Sequence, residues 1–178
     1  MILTRNTIET TKLTWQALSG SLQMKWPLGT LLLALLTSTA MAYPQPVQWQ
    51  TYSIAETGTS VDLPTSIFTE KAERPAGYGI RLKTADGRAE LTVLAGPNSD
   101  NEMPARFLAK RHPPAHIQYK RVTSRFFAVS GYNRDRVYYS RCNFSHGLVH
   151  CVKIYYPASE ERDWDDIVTR ISLSLIGK

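Results

Sequence analysis

Apolar and polar positions follow three patterns along the chain. From Leu28 to Leu36 nearly every residue is apolar: Leu28, Leu31, Leu32, Leu33, Ala34, Leu35 and Leu36, broken only by Gly29 and Thr30. From Val47 onward, short apolar runs rich in Val, Ile, Tyr and Phe alternate with turn residues, which is the pattern of strands. Near the end, Trp164, Ile167, Val168, Ile171 and Leu175 recur at helical spacing.

These patterns predict a set of elements. Val47 to Ile54 and Thr59 to Leu63 read as two short strands, the second stopped by Pro64. Asp86-Gly87 predicts a type I′ hairpin turn, because glycine tolerates the positive φ that such a turn requires. A two-residue loop there sets Lys83 opposite Glu90, Leu82 opposite Leu91 and Ile80 opposite Val93. A slip of one residue would lose both the charge match and the apolar match. Gly96-Pro97-Asn98 stops that strand. Ser99 or Asp100 then caps a helix over about 101–111, with Met103, Phe107 and Leu108 on one side.

A three-strand meander follows, with strands over 117–132, 136–144 and 148–156. Its turns fall at Asn133-Arg134-Asp135 and near His146-Gly147. In the final helix Ser159 is the expected N-cap, and Glu160, Glu161 and Asp163 occupy the first turn, where the helix dipole favours negative charge. Gly177 ends it. The order predicts an α+β fold: an antiparallel sheet with a C-terminal three-strand meander, covered by an internal helix and a C-terminal helix. Both helices are expected on one face.

The first apolar run belongs to a different kind of segment. Met24-Lys25-Trp26 precedes it, and Thr37-Ser38-Thr39 and Ala40-Met41-Ala42 follow. A basic start, an apolar core and an A-x-A site predict a signal peptide over 24–42, cleaved after Ala42. Crossing the hydrocarbon takes about 20 apolar residues, so this run is too short for an anchor, and no transmembrane anchor is expected in the mature chain. Residues 1–23 are polar and aperiodic and read as a mis-assigned upstream segment. No cysteine stands directly after Ala42 and no Arg-Arg pair precedes the apolar core, which argues against a lipoprotein and a twin-arginine route. The expected product is one mature domain, 43–178, periplasmic or secreted.

Composition adds charge and redox chemistry. The 178-residue chain is 43% hydrophobic and 20% charged, values of a globular protein rather than a disordered one. The expected mature part keeps 18 of the 21 Lys and Arg and 14 of the 15 Asp and Glu, a net +4. Cys142 and Cys151 are the two cysteines. A hairpin centred on His146-Gly147 sets them directly opposite each other, at a non-hydrogen-bonded position where the Cα atoms are close. In an oxidising compartment that pair predicts a disulfide. A metal site from Cys142, His146, His150 and Cys151 is disfavoured, because adjacent strand residues such as His150 and Cys151 point to opposite faces.

Other candidate chemistry is thin. His112-Pro113-Pro114-Ala115-His116 has the spacing of a helical two-histidine site, but its prolines forbid the helix. No G-x-S-x-G elbow is present. The acids Glu160, Glu161, Asp163, Asp165 and Asp166 read as a charged helix start. Asn143-Phe144-Ser145 matches a glycosylation sequon. No cofactor, metal site or catalytic residue is expected.

The most suggestive stretch runs from Arg106 to Arg141. It carries nine basic residues against the single acid Asp135, with Tyr119, Phe126, Phe127, Tyr132, Tyr138 and Tyr139 interleaved. Arg121, Arg125, Arg134 and Arg136 are the expected anion-binding residues. Export makes nucleic acid an improbable partner and favours an anionic envelope polymer, a lipid headgroup or an acidic protein.

Two resemblances bear on this reading. Val122-Thr123-Ser124-Arg125-Phe126-Phe127-Ala128-Val129-Ser130, Arg141-Cys142-Asn143-Phe144, Trp164-Asp165 and Val168-Thr169-Arg170-Ile171-Ser172 resemble a group of small uncharacterised exported proteins of soil-dwelling Gram-negative bacteria. Gly87-Arg88-Ala89 and Gly96-Pro97-Asn98 add to this, and the likeness spans most of residues 50–175. It implies export and no particular activity. The element order, ending in a helix that bears Trp and Ile, is similar to the PsbP-like α/β/α families, which implies a non-enzymatic accessory or binding role.

The expected function is therefore a non-enzymatic exported binding or accessory domain whose ligand the sequence leaves open, an anion being one candidate. The alternatives are an envelope enzyme of hydrolase type, whose site forms only in three dimensions, and an interaction protein acting outside the cell.

Overall fold

The computed structural model describes residues 46–111 and 116–178. The upstream segment 1–23, the signal peptide 24–42 with its cleavage point, and residues 112–115 of the proline loop lie outside the described residues. The chain begins with β1 (Trp49–Ile54), β2 (Thr59–Pro64), β3 (Glu70–Lys71), β4 (Tyr78–Lys83) and β5 (Glu90–Pro97). Helix α1 (Pro104–Lys110) leads to β6 (Ile117–Val122), β7 (Phe126–Asn133), β8 (Arg136–Ser145) and β9 (Leu148–Pro157), then α2 (Glu161–Ser174) and β10 (Ile176–Gly177). One antiparallel sheet has the order β3-β4-β5-β9-β8-β7-β6, and a second, smaller one the order β1-β2-β10.

The hairpin registers follow the sequence pattern. Lys83 pairs with Glu90, Leu82 with Leu91 and Ile80 with Val93. Cys142 pairs with Cys151. The β8–β9 turn is tight, with both His146 (φ 48°) and Gly147 (φ 71°) in the left-handed region. The β4–β5 turn differs from the type I′ expectation, since in it only Gly87 (φ 68°) has positive φ. Asp86 is held instead as a side-chain acceptor, taking hydrogen bonds from the Thr84 hydroxyl (2.5 Å) and the Arg88 amide (3.0 Å). The loop is therefore longer than two residues, closed by Thr84 N–H to Ala89 O at 3.1 Å.

Five further expectations need correction. The strand expected over 117–132 is two strands, because Thr123 forms a side-chain turn. Its hydroxyl accepts from the amides of Arg125 (3.2 Å) and Phe126 (3.1 Å). Helix α1 starts late and without the Ser99 or Asp100 cap. Asn98 instead closes a loop on Glu102 through two 3.0 Å hydrogen bonds, and Pro104, which has no N–H to leave unpaired, opens the helix. Met103 is consequently exposed. Before α2, Ala158–Glu160 form a 3-10 turn, so Ser159 does not cap the helix. At its other end the chain turns extended at Leu175, and Gly177 lies in β10 rather than serving as a stop.

The fifth correction concerns the layers. Leu82, Leu91, Val93, Val152 and Ile154 pack with Trp164, Val168 and Ile171 of α2 and with Val61 and Leu63 of the small sheet. Phe127, Val129, Tyr138, Cys142 and Cys151 pack with Leu108 of α1. Neighbouring strand residues such as Cys151 and Val152 thus serve different cores, so α1 and α2 cover opposite faces. Central strands that are apolar at consecutive positions need cover on both sides.

Candidate functional site

The α1 side is covered at one end only. There the Phe107 ring meets Phe144 edge-on at 5.3 Å and lies 6.4 Å from Phe127. The strand ladder arranges the rest of this face in transverse rows. One row runs Arg81, Thr92, Lys153, Ser140, Val129, from β4 across β5, β9 and β8 to β7. The next runs Gly79, Leu94, Cys151, Cys142, Phe127. Gly79 (φ 153°) is required there, because a Cβ would sit 2.0 Å from the Val93 carbonyl oxygen. It also adds no side chain to the face.

The result is a concavity of about 700 Å³. Leu94, Phe107, Val129, Tyr155 and the two cysteines give it apolar walls, and the Cα atoms of Cys142 and Cys151 are 4.1 Å apart with their sulfurs at bonding distance. Arg81, Arg111 and Lys153 bring positive charge to it. Arg81 Nε is 3.4 Å from Glu90 Oε1. Among the described residues no carboxylate pairs with Lys153 or Arg111. The Arg111 guanidinium lies 4.6 Å from the centre of the Phe107 ring.

Lys153 is the central charge. Lys153 is itself exposed to water at the open side of the concavity. Loss of hydration pushes its pKa down, and Arg111 and Arg81 push it further the same way. An anion placed here would offset the repulsion from Arg111 and Arg81.

The expected arginines do not form one patch. Arg121 points to the α2 side, since it is in register with Ala128 and Arg141. Arg136 points to the α1 side, its guanidinium 5.4 Å from the Tyr155 ring. Arg125 lies in the β6–β7 turn and Arg134 (φ 59°) in the β7–β8 turn. These are opposite ends of an eight-residue strand, roughly 25 Å apart at strand rise. Of the cations that converge, only Arg111 belongs to the basic segment; Arg81 and Lys153 fall outside it. Only the β5–β9 pairing brings them together, and no local turn signal announces it.

A second polar cluster joins the two sheets. Ser145 Oγ is 3.0 Å from His150 Nε2, and His150 Nδ1 is 2.7 Å from Thr59 Oγ1. The serine–histidine contact has the spacing of a nucleophile and base. Its third member is a neutral hydroxyl, which cannot stabilise an imidazolium as a carboxylate does. His150 is fully buried, and burial lowers its pKa. Among the described residues no group of three or more His, Cys, Asp or Glu is placed to hold a metal ion.

No family model and no curated protein matches this chain. Among solved structures it is similar to that of cyanobacterial PsbP (CyanoP) from Synechocystis sp. PCC 6803. The TM-score is 0.54 at 12% identity, over 75% of this chain and 95% of that one. The chain has a PsbP-like fold. At this identity the likeness concerns architecture, so the contents of the concavity on the PsbP-like sheet are read from this chain's own residues. Among the described residues no helix is long and apolar enough to cross a membrane.

Proposed function

We propose that this chain is an exported, non-enzymatic binding or accessory domain, and that its ligand is an anion with an apolar body held in the concavity on the α1 side. The observation that carries this reading is Lys153. Among the described residues it is a cation without a carboxylate partner, lining the concavity with Arg81 and Arg111 beside apolar walls. A carboxylate or sulfonate would accept charge-assisted hydrogen bonds from it, while an alkyl or aryl body would cover Leu94, Val129 and Phe107. The facing cysteines suit an oxidising compartment, periplasmic or extracellular, and N-terminal sequencing of exported protein is expected to give Tyr43.

The test is displacement of anilinonaphthalene sulfonate from oxidised residues 43–178 by decanoate and by decanol. Decanoate is expected to displace the dye at concentrations about tenfold lower than decanol, and Lys153→Gln to erase that difference. Equal displacement by the acid and the alcohol, or a Lys153→Gln protein that behaves as wild type, would overturn the reading.

A further inference from the structure

On the opposite face, a cleft of about 250 Å³ lies between α2 and the β6–β7–β8 end of the sheet. Arg121, Ala128 and Arg141 are in register across three strands. The small Ala128 separates two long cations. Both guanidiniums lie near the Phe126 ring, that of Arg121 at 5.5 Å from its centre and that of Arg141 at 4.5 Å.

Arg141 is held in place by neutral groups. Its Nε donates to Asn143 Oδ1 at 3.1 Å and its Nη1 to Ser172 Oγ at 3.4 Å. Asn143 is fixed in turn through Nδ2 to the Leu175 carbonyl at 2.8 Å, and Ser172 Oγ lies 2.5 Å from the Tyr139 hydroxyl. Neither Arg121 nor Arg141 has a carboxylate partner among the described residues. A positioned guanidinium with donors to spare and its charge uncompensated is built for a planar, bidentate acceptor.

The rim identifies the occupant more closely. Tyr119 and Leu173 border the cleft and are 46% and 71% exposed, large apolar side chains left in water. Asp165 is exposed one helical turn before Thr169, which lines the cleft. A broad anionic bilayer would meet that acid, whereas a narrow segment entering between Arg121 and Arg141 need not.

We infer that this cleft is a docking site for an acidic segment of a partner protein, a carboxylate side chain between Arg121 and Arg141 flanked by apolar residues that cover Tyr119 and Leu173. The site is separate from the concavity on the α1 side and does not depend on it.

An NMR titration of 15N-labelled residues 43–178 tests this with two capped tripeptides, acetyl-Leu-Glu-Leu-amide and acetyl-Leu-Gln-Leu-amide. The Glu peptide is expected to shift the amides of Ala128 and Ser172 and the Arg141 Nε–H. The Gln peptide should bind about tenfold more weakly, as should the Glu peptide to Arg141→Gln. Arg121→Gln, on an exposed edge strand, gives the same readout without touching the anchoring network. Lys153→Gln should leave the titration unchanged. Equal binding of the two peptides, or shifts confined to residues around Lys153, would overturn the inference. So would flotation of the protein with phosphatidylglycerol vesicles in an Arg121-dependent way while neither peptide shifts the cleft.

Discussion

His150 Nδ1 lies 2.7 Å from Thr59 Oγ1, and this contact ties the seven-stranded sheet to the three-stranded one. The direction of the chain of hydrogen bonds follows from its end. The Gly177 carbonyl can only accept, so the Ser145 hydroxyl donates to it at 3.2 Å. Ser145 Oγ then accepts from His150 Nε2–H, and in the neutral form that burial favours, Nδ1 accepts from the Thr59 hydroxyl. The imidazole is neutral in the folded protein, in keeping with a pKa lowered by burial.

Stability should therefore fall with acidification. Below the ordinary imidazole value of 6.5 the unfolded chain takes up a proton that folded His150 refuses. The unfolded state then binds more protons, and stability is lost as pH drops from about 6.5 toward the lowered folded value. Urea unfolding at pH 7.5 and 5.5 should give a lower midpoint at the acid pH. His150→Gln should be less stable at pH 7.5 and lose less on acidification. An undiminished pH response in that variant would place the titrating group elsewhere.

Gly177 packs directly on the same ring. A Cβ there would lie 2.2 Å from His150 Cδ2. Gly177→Ala is expected to destabilise by about 1–3 kcal/mol through forced overlap in a packed site. The midpoint of urea unfolding checks it, and wild-type stability would show that β10 can peel away at no cost.

The cysteine pair should be bonded in an oxidising compartment. Non-reducing mass spectrometry should show a deficit of about 2 Da against the reduced protein, the mass of two thiol hydrogens. The residues between Cys142 and Cys151 form a short loop, so reduction should cost about 2–3 kcal/mol on chain-entropy grounds. It should also loosen the wall of the α1-side concavity and weaken dye binding there.

Helix α2 supplies the sharpest packing test. Ile171 is fully buried, Ile167 is half-buried and Asp166 is exposed. Ile171→Ala should destabilise by about 2–5 kcal/mol, Ile167→Ala by less, and Asp166→Ala by less than about 0.5 kcal/mol. Equal effects at Ile171 and Asp166 in urea unfolding would mean the wrong face is inward.

The reach of sequence reasoning here depends on how local each relationship is. Leu82 opposite Leu91 and Cys142 opposite Cys151 were legible because a glycine turn lies midway between the partners. The break at Thr123 was not, since Thr123-Ser124-Arg125 holds neither Gly nor Pro and turns through a threonine hydroxyl. The start of α1 was misplaced because Asn98 bonds to Glu102 instead of leaving Ser99 or Asp100 to cap. The candidate site was hidden for a larger reason. Arg81 and Lys153 share a row only once β5 lies against β9, and strand pairing across an intervening helix and three strands leaves no periodic trace in either segment. Basic residues that are near in sequence, Arg121 and Arg136, were parted by the alternation of strand faces.

That β5–β9 seam also sets the order in which the molecule can assemble. β6, β7, β8 and β9 are consecutive and can zip together as each hairpin forms, as can β4 with β5. The open edge of β5 finds its partner only after β9 exists, and closing so long a loop is the slow event. A chain threaded through a membrane from its N-terminus presents that edge, with Leu91 and Val93 beside it, before β9 has emerged. During that interval it is a sticky half-sheet, exposed to pairing with a neighbour's strand. Were the chain exported as proposed, it would call for either rapid threading or a companion that shields the β4–β5 hairpin until the last hairpin arrives.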